Sequence, residues 1–261
     1  MHSATFYIDL LLSGITVGSL YALIAIGYTM VYGILRLINF AHGDIFMMAG
    51  FFMIYASASM NLAVSIPLVL ILTVLLGVAI EKAAYKPLRS APRMSVMISA
   101  IGVSYLLQNL ATYITGGLAR PYPEIPFLKG TFSVGGMTIK TITIITPVLT
   151  VLLVIALVLF INHTKIGMAM RAVSKDFDTA RLMGIKVNSV ISITFVIGSF
   201  LAGVGSILYF SNYGQVSPMI GAMPGLKAFV AAVFGGIGSI PGAVLGAYIM
   251  AFASPLLNPT M

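Results

Sequence analysis

Cysteine is absent from the 261 residues of this sequence, and acidic residues number only six. The lack of cysteine excludes disulfides, thiolate metal sites and thiol nucleophiles, and it leaves the redox compartment undetermined. The sequence also contains no G-x-x-x-x-G-K-[ST] phosphate loop, no G-x-S-x-G nucleophile elbow and no His/Asp/Glu cluster with metal-ligand spacing. These absences argue against nucleotide binding of that type, serine hydrolysis and metal catalysis on this chain.

Charge of either sign is scarce, whereas apolar residues are abundant. Only 8% of the residues are charged, 59% are hydrophobic, and the mean hydropathy is +1.07. A soluble domain needs a charged exterior, so this composition indicates a protein of the lipid bilayer that crosses it several times. The formal net charge of +8 arises from basic residues in short loops that flank apolar runs. That distribution follows the positive-inside rule and does not indicate a nucleic-acid partner.

Long runs with almost no charge define the membrane segments. They cover residues 6–33, 45–80, 94–118, 142–161, 190–213 and 228–261. A helix needs about 20 residues to cross the hydrocarbon core, so we divide the second run near residues 57–61, which precede Pro67. The glycine-rich stretch 235–242 interrupts the last run. The sequence therefore predicts an all-α polytopic transmembrane bundle of about eight segments, with a broken or short helix near residues 224–242, forming one domain over residues 1–261.

Two basic loops set the expected orientation. Residues 81–93 contain four basic side chains, and residues 164–187 contain five. Two predicted spans separate these loops, so both are expected on one face, which the positive-inside rule assigns to the cytoplasm. The N-terminus and the loop 119–141 are then expected outside.

The segment 164–187, TKIGMAMRAVSKDFDTARLMGIKV, holds seven of the 20 charged residues. Its helix-forming residues and Gly184 predict a short helix, a turn and a second short helix that ends at the glycine. Such a hairpin can seat in a groove of another protein. The alternative is an amphipathic hairpin that rests on lipid headgroups through its basic residues.

The string DTARLMG, residues 178–184, resembles the acidic-Ala-Ala-x-x-x-Gly motif of ABC-importer permeases. The surrounding pattern of glycine, arginine and alanine is similar to the same loop in the branched-chain amino acid permeases. Two further stretches also resemble that family, GILRLINFAHGDIFMMAG at 33–50 and FGGIGSIPGAVLGA at 234–247. The loop departs from the family pattern because Asp178 replaces glutamate, Thr179 replaces the first alanine, and no proline follows Gly184 at the usual distance.

The resemblance implies a permease subunit, not an enzyme, that imports leucine, isoleucine or valine, or a related small polar solute, across the inner membrane of a prokaryote. Its implied partners are cytoplasmic ATPase subunits that bind ATP and Mg, a second related permease and an external solute-binding protein. No cofactor is expected on this chain. Family members usually continue past the equivalent of Ala251, so a final C-terminal span is expected to be missing. The residues implied in ATPase coupling are Gly167, Arg171, Ala172, Asp178, Ala180, Gly184 and Ile185.

A second hypothesis is a self-sufficient channel or secondary transporter for a small solute such as urea or a short amide. The DTARLMG hairpin distinguishes the two hypotheses, because a secondary transporter has no need of a docking motif. The six acidic residues leave few proton carriers within the membrane, so energy for transport is expected from elsewhere.

Polar residues near or within the apolar runs are candidates for the translocation path, because contact with lipid is costly for them. Asn39, His42 and Asp44 are expected at the mouth of a span, where Asn39 and Asp44 are predicted to cap the helix that begins near Ile45. His42 is interpreted as a packing or gating residue, since a single histidine makes no metal site.

Two adjacent amides, Gln108 and Asn109, are expected in the middle of the run 94–118. An amide at this depth needs a partner on another helix or a polar cavity. Both readings, an interhelical hydrogen bond and a path-lining group, are open for these residues. Repeated glycines, such as Gly14 and Gly18, predict close helix packing.

Overall fold

A computed structural model describes residues 4–89, 91–134 and 137–257 of the chain. This part of the chain is mainly helical, with a π-helical turn, Glu81–Tyr85, that continues α3. The helices are α1 (Ala4–Leu35), α2 (His42–Ser59), α3 (Leu62–Ile80), α4 (Arg93–Thr115), α5 (Pro126–Lys129), α6 (Thr141–His163), α7 (Lys165–Lys175), α8 (Phe177–Leu182), α9 (Val187–Tyr213), α10 (Ala222–Phe234) and α11 (Ile240–Leu257). The strands are β1 (Arg120–Pro121), β2 (Thr131–Val134), β3 (Met137–Lys140) and β4 (Gln215–Val216), with β2 antiparallel to β3 and β1 to β4.

The prediction of an all-α polytopic bundle is confirmed. Among the described residues, five helical segments are long and apolar enough to cross a membrane: Leu10–Leu35, Leu62–Tyr85, Arg93–Thr115, Thr141–His163 and Val187–Tyr213. Three shorter helices, α2, α10 and α11, pack against α1. The predicted break in the second apolar run lies at Met60 and Asn61, where the Asn61 side chain caps α3 by accepting a hydrogen bond from the Ala63 amide (3.3 Å).

The first helix forms the centre of the bundle, in contact with α6, α9, α10 and α11. Gly14 and Gly18 face α11, where a Cβ on either glycine would lie 2.5 Å from the ring of Phe252 or Tyr248. The Tyr248 hydroxyl is also 2.9 Å from the hydroxyl of Ser19. The expected role of these glycines in close helix packing is therefore confirmed.

The second helix begins inside the bundle, not at its end. His42, the first residue of α2, packs against Gly27, which lies eight residues before the end of α1. At a rise of about 1.5 Å per residue, this places the start of α2 about 12 Å inward from the end of α1. The linker 36–41 therefore turns back into the bundle, and the expectation that His42 and Asp44 lie at the mouth of a span is wrong.

The tenth helix also begins inside the bundle, beside the start of α2. A Cβ on Gly43 would lie 2.6 Å from the carbonyl oxygen of Gly221, and one on Gly225 would lie 3.0 Å from the Cα of Gly43. From this contact α10 runs to a turn whose Gly238 lies beside Gly33, near the end of α1. The prediction of a short helix and a break near 224–242 is confirmed, with α10 beginning at Ala222 and the break at residues 235–239.

Both basic loops lie at the same end of the bundle, as predicted. We call this the basic end and define it by residues 86–89, 91–93 and 164–186. The guanidinium of Arg89 donates to the side chain of Asn188 at the start of α9, and Arg36 donates to the Ser174 carbonyl (3.3 Å). The β2–β3 hairpin and the β1–β4 pair lie at the other end of the bundle, in the connections between the helices.

Replacing Gly43 by alanine is expected to lower the free energy of unfolding by about 1–3 kcal/mol, because the new methyl group would press on the backbone of Gly221. Denaturant unfolding in detergent measures the change. Gly102→Ala is the matched control, since a Cβ on Gly102 meets nothing within 4 Å. Equal stability of the two variants would contradict the tight helix crossing.

Candidate functional site

Asp44 is the third residue of α2 and is only 2% exposed. Its carboxylate accepts a hydrogen bond from the Ser104 hydroxyl and another from the Gln108 amide nitrogen (3.0 Å), both on α4. Ser104 lies 11 residues after the start of α4, so the contact is deep in the bundle. The predicted capping role of Asp44 is wrong, because the N-cap of α2 is Ala41 and no side chain caps it.

Asn39 and His42 lie on other sides of the same helix start. The Asn39 side-chain oxygen accepts a hydrogen bond from the Tyr85 hydroxyl (2.8 Å), so this residue does not cap α2 either. His42 is buried against Gly27 and packs edge-on to Tyr28, with the ring centroids 4.8 Å apart. The structure therefore brings Asp44 and Gln108 into contact. Asn39 and His42 contact other residues, namely Tyr85 for Asn39 and Gly27 and Tyr28 for His42.

A cavity of about 370 Å³ lies between the starts of α2 and α10 and the middle of α4. Its polar wall consists of Asp44, Ser104 and Gln108, and the three glycines of the helix crossing form its floor. Aromatic and aliphatic side chains line the remainder: Tyr28, Phe40, Ile101, Tyr105, Leu226 and Phe229. A few polar groups in an apolar cavity are typical of a site for a small solute.

The adjacent amides Gln108 and Asn109 have different environments. Gln108 lines the cavity and donates to Asp44, so it is both an interhelical hydrogen-bond donor and a cavity residue. Asn109 is exposed on the outer face of α4, and its amide donates to the Tyr105 carbonyl one turn earlier (2.7 Å). It does not line the cavity.

Sequence reasoning missed several residues around this site. The aromatic residues Tyr28, Phe40 and Phe229 are not distinguishable from other membrane aromatics by composition. Lys227 lies within α10, and its amine is 5.8 Å from the ring centroid of Tyr21 on α1. Lys227 is visible in the sequence as a lone cation between Gly225 and Ala228, but by hydropathy it marks only the start of the apolar run 228–261.

The segment 164–187 forms the predicted pair of short helices, α7 and α8, at the basic end. Thr164 caps α7, because its hydroxyl accepts from the Gly167 amide (3.0 Å). A side chain on Gly167 would collide with the backbone of Ile161. Arg171 donates to the Ile161 carbonyl and to the Asn162 side chain (3.2 Å). Gly167 and Arg171 therefore form the corner between α6 and α7.

The second helix of this hairpin has a cap at each end. The Asp176 carboxylate accepts from the amides of Asp178 (2.9 Å) and Thr179 (3.3 Å). At the other end Gly184 has a φ of 79°, its amide bonds to Arg181, and the Ile185 amide bonds to the Ala180 carbonyl (3.0 Å). These bonds form a Schellman motif, so the predicted glycine cap is confirmed. Ala172 has a similar local role, since its carbonyl accepts the bond that ends α7.

The C-terminal end of α8 exposes large apolar side chains. Leu182 is 87% exposed and Met183 is 78% exposed, whereas Ala180 is only 3% exposed. Asp178 lies on the same surface, 3.9 Å from Arg181. Adjacent apolar side chains held outward by a capped helix are suited to contact with another molecule.

A buried carboxylate joins the first basic loop to α9. Glu81, in the π-helical turn, is fully buried and accepts from Arg89 and from the Ser192 hydroxyl on α9 (3.0 Å). Partial burial lowers the pKa of Arg89, and the neighbouring Glu81 carboxylate opposes that shift. The sequence does not indicate this contact, because the partner on α9, Ser192, is 111 residues away from Glu81.

Comparison with known proteins identifies relatives over almost the whole chain. The sequence model of a family described as branched-chain amino acid transport system / permease component matches residues 10–260. The high-affinity branched-chain amino acid transport system permease protein BraD of Pseudomonas aeruginosa is 43% identical, over 95% of this chain and 85% of the relative. The corresponding LivH protein of Escherichia coli is 40% identical, over 96% of this chain and 86% of the relative.

Replacing Gln108 by leucine is expected to lower the free energy of unfolding by about 1.5–3 kcal/mol, because the buried Asp44 carboxylate loses a donor. Asn109→Leu is the matched control on the next residue, and it should leave stability unchanged or slightly raised. Thermal unfolding of the purified variants measures both. A larger loss for the Asn109 variant would contradict the assigned orientation of α4.

The hairpin should loosen at acid pH. Hydrogen bonds from the Thr179 hydroxyl and from the amides of Asp178 and Thr179 lower the pKa of Asp176 below 3.8. Because the folded pKa is depressed, the cap stabilises α8 above pH 3.8 and is lost as the pH falls through the folded pKa. As the pH falls through the folded pKa, hydrogen exchange of these two amides should accelerate relative to the same amides in Asp176→Asn. The asparagine side chain caps the helix without titrating. Parallel pH profiles for the two proteins would contradict this cap.

Proposed function

The chain belongs to the branched-chain amino acid transport permease family, and we propose that it imports leucine, isoleucine or valine as the membrane subunit of an ATP-driven transporter. Separate cytoplasmic ATPase subunits supply the energy by binding ATP and Mg, a second related permease completes the membrane unit, and an external binding protein delivers the solute. The relatives named as branched-chain amino acid permeases support the choice of solute.

The observation that carries the coupling proposal is the exposed apolar surface at the C-terminal end of α8. Leu182 and Met183 present apolar surface on a segment outside the five spans, and the caps at Asp176 and Gly184 hold that surface in place. An ATPase with an apolar groove would cover these side chains and move the hairpin as a rigid unit. We therefore assign residues 164–187 to ATPase docking.

The proposed orientation places the basic end in the cytoplasm of a prokaryotic cell and the N-terminus outside. The two basic loops share one end of the bundle, which supports this assignment through the positive-inside rule. The β2–β3 hairpin and the β1–β4 pair then face the binding protein.

The cavity at Asp44 is the proposed solute site on the path. Helices α2 and α10 begin inside the bundle, and interrupted helices of this kind are tolerated in membranes where they are buried in protein or line a cavity. The cavity opens toward the exposed faces of α4 and α10, where Ile101 and Leu226 lie. A second permease packed on that side would enclose the path between the two subunits.

Uptake of radiolabelled leucine into proteoliposomes tests the function. The chain is reconstituted with its ATPase, second permease and binding protein. It should take up leucine only when ATP is present on the side of the membrane where the ATPase lies. Uptake by the chain alone, unchanged after ATP depletion, would instead establish a self-sufficient channel or secondary transporter.

Replacing Leu182 by glutamate is expected to reduce ATP-dependent uptake by about tenfold or more, because loss of a central apolar contact weakens docking. Co-purification of the ATPase measures docking directly. Leu182→Met, which keeps the apolar surface, is the control and should transport normally. Gly184→Val should also uncouple, because a β-branched residue is strained at a φ of 79°. Normal uptake by both the glutamate and the valine variants would refute the docking assignment.

A further inference from the structure

Among the described acidic side chains, Asp44 is the one that is both buried and without a described cationic side chain within 4 Å. Glu81 pairs with Arg89, Glu124 with Lys129 and Asp178 with Arg181. Asp176 is exposed and caps α8. The Asp44 carboxylate is buried and has only two neutral donors, Ser104 and Gln108.

A lone carboxylate at this depth is costly unless something compensates its charge. The starts of α2 and α10 contribute the partial positive charge of their first turns, which favours the ionised form. Ser104 and Gln108 both lie on the α4 side and hold the carboxylate at the cavity wall. The remaining side of the carboxylate therefore faces space that a small molecule can enter.

We propose that Asp44 binds the ammonium group of the transported amino acid inside this cavity. The proposal rests on the proposed function, since it specifies which chemical group of the solute the site recognises. An ammonium group supplies the positive charge that the described protein side chains do not, and a charge-assisted hydrogen bond is roughly twice as strong as a neutral one. The site then accepts solutes with a primary amine and rejects their deaminated analogues.

The rest of the cavity suits an aliphatic side chain. Phe40, Ile101 and Phe229 line the apolar part of the cavity wall. The contact between Tyr28 and Phe229, with ring centroids 5.9 Å apart, closes one side of this wall. An amino acid with its ammonium group on Asp44 would direct a branched apolar side chain toward these residues.

The absence of cysteine from the chain allows a direct occupancy measurement. Ile101, which lines the cavity and is 39% exposed, is replaced by cysteine in the assembled transporter, and its rate of maleimide labelling is measured. Phe132→Cys, on β2 at the opposite end, is the control for effects unrelated to the cavity. The probes are L-leucine, isoamylamine, which has the ammonium group without the carboxylate, and isocaproate, which has the carboxylate without the ammonium group.

Leucine and isoamylamine should slow labelling of the Ile101→Cys protein by about tenfold, and isocaproate should not, since a hydrogen bond to a charged group gives about that discrimination. Adding Asp44→Asn should abolish this protection, whereas Asp44→Glu should retain part of it. The comparison of the three probes needs no change at Asp44, so it stands even if the asparagine variant misfolds.

The proposal is overturned if isocaproate protects as well as leucine, or if a folded Asp44→Asn protein keeps its protection. It is also overturned if no probe protects in a transporter that takes up leucine with ATP, because the cavity would then lie off the path. A transporter with no ATP-dependent leucine uptake at all would instead refute the proposed function, so the two failures are separable.

Discussion

The fold depends on the backbone contact between the starts of α2 and α10. Gly43 lies against Gly221 and Gly225 so closely that no side chain fits between the helices. This contact brings the positive ends of two helices to one place inside the bundle, next to Asp44. The space left between them and α4 is the cavity, so the three glycines determine where the polar site lies.

Two segments without helical structure must enter the bundle to make this contact. The linker 36–41 leads from α1 to α2, and the linker 214–221 leads from α9 to α10. Arg36 begins the first linker with a φ of 55°, and its amide still bonds to the Tyr32 carbonyl (2.8 Å). The second linker is held where the Tyr122 amide bonds to the Gly214 carbonyl (3.0 Å) and β4 pairs with β1. Backbone groups that would be costly in lipid are thus partly satisfied by neighbouring segments.

Sequence reasoning predicted the features that depend on local patterns. The apolar runs, the break at Asn61 and the glycine cap at Gly184 follow from hydropathy and turn chemistry, which operate over a few residues. The depth of Asp44 was not predictable in this way, because loop counting assumes that each helix begins at the membrane surface. The different environments of Gln108 and Asn109 depend on the rotation of α4 about its axis, and a helix that is apolar on most sides does not reveal that rotation.

The hairpin and the cavity are connected through few bonds. Arg36 bonds to the Ser174 carbonyl of α7, and six residues later the same chain reaches the first residue of α2. A separate set of bonds ties the first basic loop to α9, directly from Arg89 to Asn188 and through Glu81 to Ser192. The Arg36 bond holds the start of the first linker, which contains no regular structure, against α7, whereas the buried Glu81 ties the π-helical turn after α3 to α9. The hairpin is therefore bonded to the linker that leads to Asp44, whereas the spans α3 and α9 are bonded to each other.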